Sequence, residues 1–175
     1  MASDPALDAA HWDAVEEATE LIQEGQFQNA LYVLREVVRA DGRNPYAYYF
    51  MGVALYELAQ LEPARDAYRA AVRLAPSYVG ARGSLAQVLR RLGDHRGAIR
   101  EAREGLNLRP DDPDSLHAAG MAHAALDHRS EARRYLEAFL RTKPEVEAAQ
   151  EARLSLASLD RGMGPIDIDL TASAR

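Results

Sequence analysis

The chain has 175 residues, 47% of them hydrophobic and 27% charged, with a formal net charge of -6 and no cysteine. That length fits one compact domain or a short repeat array, the acidic balance argues against a nucleic-acid partner, and the missing cysteines exclude disulfides and thiolate metal sites. No run approaches the roughly eighteen apolar residues of a membrane span, and the opening MASDPALDAAHWD lacks the basic-then-apolar order of a secretory leader. A soluble, cytoplasmic protein without a membrane partner is the expectation.

In chain order the sequence reads as helices in pairs. Gly25 marks a tight turn before a helix carrying Phe27, Ala30, Leu31 and Leu34. Asn44-Pro45 caps and opens the next helix, which contains YAYYFMGVALY, residues 46–56. Leu85, Val88, Leu89 and Leu92 recur at helical spacing, Gly93 turns the chain, and Ala98, Ile99, Ala102, Leu106 and Leu108 repeat the pattern. Asp112-Pro113 opens another helix, and Asp111, Asp112 and Asp114 are expected to cap it rather than to hold a metal. Val146, Ala149, Leu154 and Leu156 give residues 144–160 an apolar side. No segment has the bounded alternation of a strand.

The pairs repeat. Ala30, Ala64, Ala98 and Ala132 are spaced by 34 residues, as are Pro76, Pro110 and Pro144, and as are Ala18, Gly52, Ala86 and Gly120. Small residues at a fixed step are what closely crossing helices need, and a large side chain there overpacks.

In these registers the chain resembles the tetratricopeptide repeat family, whose pattern is W-x2-L-G-x2-Y, then A-x3-F, then P. Residues 45–78 supply Tyr48, Met51, Gly52, Leu55, Ala64, Tyr68 and Pro76. Residues 79–112 supply Arg82, Leu85, Ala86, Leu89, Ala98, Ala102 and Pro110, and residues 113–146 supply Leu116, Ala119, Gly120, His123, Ala132, Leu136 and Pro144. The unit at about 11–44 is degenerate, with Ala14, Glu17 and Gly42 where Trp, Leu and Pro belong. The resemblance implies an all-α, right-handed solenoid of helix-turn-helix repeats. It would form a single array over 1–160, with a capping helix at about 144–160 and a tail at 161–175.

The same resemblance places one helix face in a concave groove. On the second unit that face holds Tyr46, Tyr49, Val53 and Tyr56, opposite the packing set of Tyr48, Met51, Gly52 and Leu55. The tyrosines either pack against a neighbouring repeat or anchor a partner. The groove continues with Gln87, Arg90 and Arg91 in the third unit and His117 and Met121 in the fourth, with Trp12 and Val15 in the first. Arg90 and Arg91 suit a carboxylate, or else simply end a helix. Family members that clamp chaperone C-termini use lysine, asparagine and arginine in the groove. This chain has Tyr49, Val53, Ser84, Asp114 and Ala118 there in one alignment, and Val15, Thr19, Phe50, Gly80 and Ser84 in the other, so such tails are disfavoured.

No nucleophile–base–acid set or phosphate-cradling loop can be assembled, and the five histidines read as packing or surface groups. The expectation is therefore a non-catalytic scaffold or adaptor, with no cofactor or metal, that binds a peptide segment or helix of another protein. Two rivals are a tetratricopeptide chaperone of a bacterial secretion system and a regulatory module for a separate enzyme or motor. In the tail, Ile166, Ile168 and Leu170 alternate with Asp167 and Asp169. One reading has it plug its own groove or a neighbour's, linking a homo-oligomer. The other leaves it a free end or a motif for a different protein.

Overall fold

The computed structural model describes residues 5–161. Ten helices succeed one another: α1 (Pro5–Asp13), α2 (Glu16–Gln23), α3 (Phe27–Ala40), α4 (Pro45–Glu57), α5 (Leu61–Leu74), α6 (Val79–Arg91), α7 (His95–Leu108), α8 (Pro113–Ala125), α9 (Arg129–Arg141) and α10 (Val146–Asp160). No strand occurs among the described residues. The fold is an all-α solenoid in which α2–α3, α4–α5, α6–α7 and α8–α9 are helical hairpins and α10 follows the last one. No helix among the described residues is long and apolar enough to cross a membrane. The tail proper, from Gly162 onward, lies outside the described residues, and so does the reading of it as a plug.

Each hairpin turns in the same way. Gly25, Ala59, Gly93 and Asp127 sit 34 residues apart, with φ of 75°, 57°, 81° and 56°. The amides that follow them close the preceding helix: Gln26 N–H donates to Leu21 O, Gln60 to Leu55 O, Asp94 to Leu89 O and His128 to His123 O, at 2.8–2.9 Å. Such bonds require a left-handed residue, which glycine supplies without steric cost and alanine does not. Glycine therefore signals only two of the four turns.

Within a hairpin the helices cross at the small-residue register. A Cβ on Gly52 would lie 2.6 Å from two ring atoms of Tyr68, and one on Gly120 would lie 2.7 Å from Leu136 Cγ. Ala86 packs with Ala102 at the equivalent crossing. One step further the position is Leu154 on α10, which is 43% exposed. A helix crossing α10 as α5 crosses α4 would strike that side chain.

The first helices of successive hairpins are not evenly spaced. α6 runs along α8, where a Cβ on Gly83 would meet Asp114 Cβ at 2.8 Å, whereas α4 and α6 stand apart. The difference follows from side-chain volume. Ala86, Ala118 and Ala119 lie in the narrow interface, and Tyr49 and Tyr78 in the wide one. Arg82 holds the register of Tyr48 and Leu116. Its Nε donates to Pro76 O at 2.8 Å, and its Nη1 pairs with Glu101 Oε2 at 3.1 Å. Tyr48 itself is half-buried rather than sealed in the core.

The N-terminal helix is tied down. Asn44, 1% exposed, accepts from the amides of Tyr46 and Ala47 through Oδ1 and donates from Nδ2 to His11 O at 2.8 Å. His11 is buried and its Nε2 is 2.8 Å from Asp41 Oδ2. His11 is thus a packing histidine, part of the α1–α3–α4 junction.

Candidate functional site

The helix caps set the geometry of the seam between α4 and α6. Asn44 and Asp112 cap α4 and α8, each followed by proline at the first helical position. At the same register of α6 stands Tyr78, which makes no side-chain cap. Its ring points instead into the gap between α4 and α6, 5.5 Å from Tyr46 and 4.9 Å from Tyr49. Gly80 leaves room for it, since a Cβ there would come within 3.3 Å of the Tyr78 ring.

Five rings close into a circuit. Trp12 meets Tyr46 at 5.2 Å, Tyr46 meets Tyr78, Tyr78 meets Tyr49, Tyr49 meets Phe50 at 5.1 Å, and Phe50 meets Trp12 at 5.9 Å. Tilted and edge-on pairs at these separations are the favoured aromatic geometry. Trp12 remains 50% exposed, and Tyr46, Tyr49 and Tyr78 are half-buried, so the circuit is packed yet partly open to solvent. Burial, reinforced by the hydrogen bond its hydroxyl donates to Asp8, pushes the Tyr46 phenol up to about 12. Burial also raises Tyr49 and Tyr78.

Along the same seam Val53 is half-buried, and Tyr56 lies under Arg91, whose guanidinium carbon is 4.8 Å from the ring centroid. Arg91 is exposed. The structure therefore brings Tyr46, Tyr49, Val53, Tyr56 and Arg91 to one seam, apolar at its base and cationic at the far end.

Gln87, Arg90, His117 and Met121 fall elsewhere. Arg90 is half-buried and turned toward α10, with Nη1 3.5 Å from Glu151 Oε1. His117 is 6% exposed, stacked on Phe139 with centroids 4.6 Å apart, and its Nε2 is 3.2 Å from Glu151 Oε2. This last contact is a close approach without the alignment of a hydrogen bond. Gln87 joins the two, with Nε2 2.9 Å from His117 Nδ1 and Oε1 accepting from Arg90 Nε at 3.2 Å. His117 beside it, and then Arg90, hold the Glu151 carboxyl below its ordinary range against the opposing effect of burial. Met121 packs among Leu116, Leu136 and Phe139.

Sequence reasoning misses Tyr78 and Glu151, and both leave a signal. Tyr78 breaks the Asn44/Asp112 cap register. Glu151 continues the step Val15, Tyr49, Gly83, His117 into α10. Of the other histidines, His123 stacks on Tyr135 at 5.5 Å with its Nδ1 3.2 Å from that of His128. Among the described residues no three histidine or acidic side chains converge as a metal site.

Comparison with known proteins agrees with this architecture. Two family models, each described as "Tetratricopeptide repeat", match residues 21–80 and 54–113. "Anaphase-promoting complex subunit 7" of Arabidopsis thaliana is 30% identical over 149 residues, 84% of this chain but 26% of that protein. The chain thus spans about a quarter of that relative's length. Among solved structures, a MamA protein superposes with a TM-score of 0.68 at 24% identity, over 75% of this chain and 72% of its own. YrrB, described as a TPR protein with an unusual peptide-binding site, gives 0.69 at 20% identity over 84% and 76%. The first TPR of Spaghetti (RPAP3), bound to the HSP90 peptide SRMEEVD, gives 0.64 at 20% identity over 67% and 93%. At these identities the structures speak for the fold. By repeat register, hairpin geometry and family match, the chain belongs to the tetratricopeptide repeat family.

Proposed function

We propose that the protein is a non-catalytic interaction scaffold that holds a segment of a partner protein against the α4–α6 seam. The observation that carries this reading is Tyr78. At the one position where its neighbours cap a helix, this unit forgoes the cap and places a ring beside Tyr46 and Tyr49. Losing a cap costs about 1 kcal/mol, and local rules are broken in this way chiefly where function repays it. The seam offers half-exposed rings, which anchor interfaces well, and the exposed guanidinium of Arg91 at its end. An extended or helical segment with apolar side chains and an acid at one end fits that pattern. YrrB and Spaghetti, which share the fold, carry peptides or peptide sites according to their descriptions.

The test is affinity capture from the source organism with the wild type and with Tyr56→Ala/Arg91→Ala. A partner retained by the wild type and lost by the variant, with helicity unchanged, supports the seam. A partner bound equally by both refutes it. If the captured protein is a secreted translocator, the reading moves to the secretion chaperone.

A further inference from the structure

The contact of α6 and α8 with α10 is organised around one carboxylate. Glu151 of α10 receives His117 at 3.2 Å and Arg90 at 3.5 Å, across the face of α8. The hydrogen-bond pattern behind these two groups is fixed. Gln87 Oε1 must accept, because Arg90 Nε only donates, so Gln87 Nε2 donates to His117 Nδ1. That leaves the proton of His117 on Nε2, facing Glu151. The Phe139 ring under the imidazole holds it in place. Gln87, Arg90 and His117 therefore form a preset receptor for a carboxylate. All three stand on α6 and α8, which pack closely along each other, and Gln87 also donates to Asp114 O at 3.4 Å.

The carboxylate itself comes from the last described helix, which is covered on one side only. α10 rests on α9 and, less extensively, on α8, and Val146 and Leu154 on its other side are exposed. Glu151 is presented from a helix, so a helix is what the receptor is already shaped to meet. Exchanging it for another carboxylate preserves the charge pairing. A neutral side chain in its place would strand Arg90 in a half-buried position, which is unfavourable.

We propose that Gln87, Arg90 and His117 are a carboxylate-binding site whose resident ligand is Glu151, and that a glutamate on a partner helix lying in the groove takes the place of Glu151 and releases α10. This rests on the reading that the concave side receives a partner segment, whereas the receptor can be tested without one.

The experiment is chemical rescue on the full chain. Glu151→Ala vacates the position and acetate is the probe, with chloride at equal ionic strength as the control. Readouts are Tm and the NMR signals of the His117 ring and the Arg90 Nε–H. The expected result is a lowered Tm that acetate largely restores, with saturable movement of both signals. Chloride does neither, and the wild type does not respond. Failure of acetate to act, an equal effect of chloride, or an equal response of the wild type overturns the site. If Glu151→Ala does not fold, Glu151→Gln keeps the volume. Hydrogen exchange across 146–160 should then be faster than in the wild type while 79–125 is unchanged, and equal exchange overturns the proposal. Acetate rescue needs no partner, so a groove that takes no peptide leaves the rescue intact, and a failed rescue leaves the tyrosine seam standing.

Discussion

Replacing Gly52 by alanine adds one methyl group at the crossing of α4 and α5. That carbon would lie 2.6 Å from Cδ1 and Cε1 of Tyr68 and 2.9 Å from Cγ. Carbon atoms settle at about 3.5–4.0 Å, so the ring or the helix must move by roughly 1 Å. The ring has little freedom, being 3% exposed and packed against Tyr49 at 5.8 Å. Overpacking costs about 1–3 kcal/mol, and overlap with three ring atoms places it near the top of that range. Alanine returns about 1 kcal/mol through its helix propensity. The net loss is about 1–2 kcal/mol, or roughly 2–8 °C in Tm for a chain of this size. Thermal and urea unfolding followed by far-UV circular dichroism measure it. The same change in a Tyr68→Ala background should cost nothing and show the propensity gain alone. A rise in Tm when Gly52→Ala is made in the otherwise native chain would refute the close crossing.

Ala59→Gly should stabilise the protein by about 0.5–1 kcal/mol, because a left-handed alanine is strained by about 1–2 kcal/mol and glycine gives back part of that as chain entropy; urea midpoints decide it. Glu151 has a folded-state pKa below its unfolded value near 4.5, so its contribution is present above that value and disappears as pH falls through the folded one. The stability gap between wild type and Glu151→Gln should therefore close as the pH drops below about 4.5, measured by urea titration at each pH. His123 has the same sense at higher pH: burial, and then the neighbouring His128, lower it from 6.5, so stability declines as pH falls below that value. Replacing His123 with phenylalanine should flatten the acid slope of Tm, and an unchanged slope would assign it to other groups. Tyr49→Ala, which opens the aromatic circuit, should cost about 2–3 kcal/mol in the same unfolding assay. Tyr56→Ala, at the solvent-facing end, should cost less and act mainly on partner capture.

The architecture was legible because small residues recur at a strict step. Ala30, Ala64, Ala98 and Ala132 mark one wall of every hairpin, and the caps at Asn44 and Asp112 mark two helix starts. Turn chemistry was legible only where glycine carried it. Ala59 and Asp127 adopt the same backbone because the hairpin on either side imposes it, which no local preference reveals. The seam was half legible. A helix with two apolar faces pointed to Tyr46, Tyr49, Val53 and Tyr56, but Tyr78 joins them from a position that looks like a failed cap. The polar half was the hardest to foresee. Arg90 and His117 read as open lining groups until Glu151 closes over them, and that contact spans α6, α8 and α10, with Arg90 and Glu151 61 positions apart in the chain.

Leu154 has a consequence for how such a molecule could be lengthened. Grafting a further unit after α10 would first require trimming that one side chain to glycine or alanine, since the isobutyl group fills the place where backbones elsewhere draw together. Left as it is, the leucine opposes the close crossing that the other hairpins use, and a tandem fusion of two such chains should melt as two separate units.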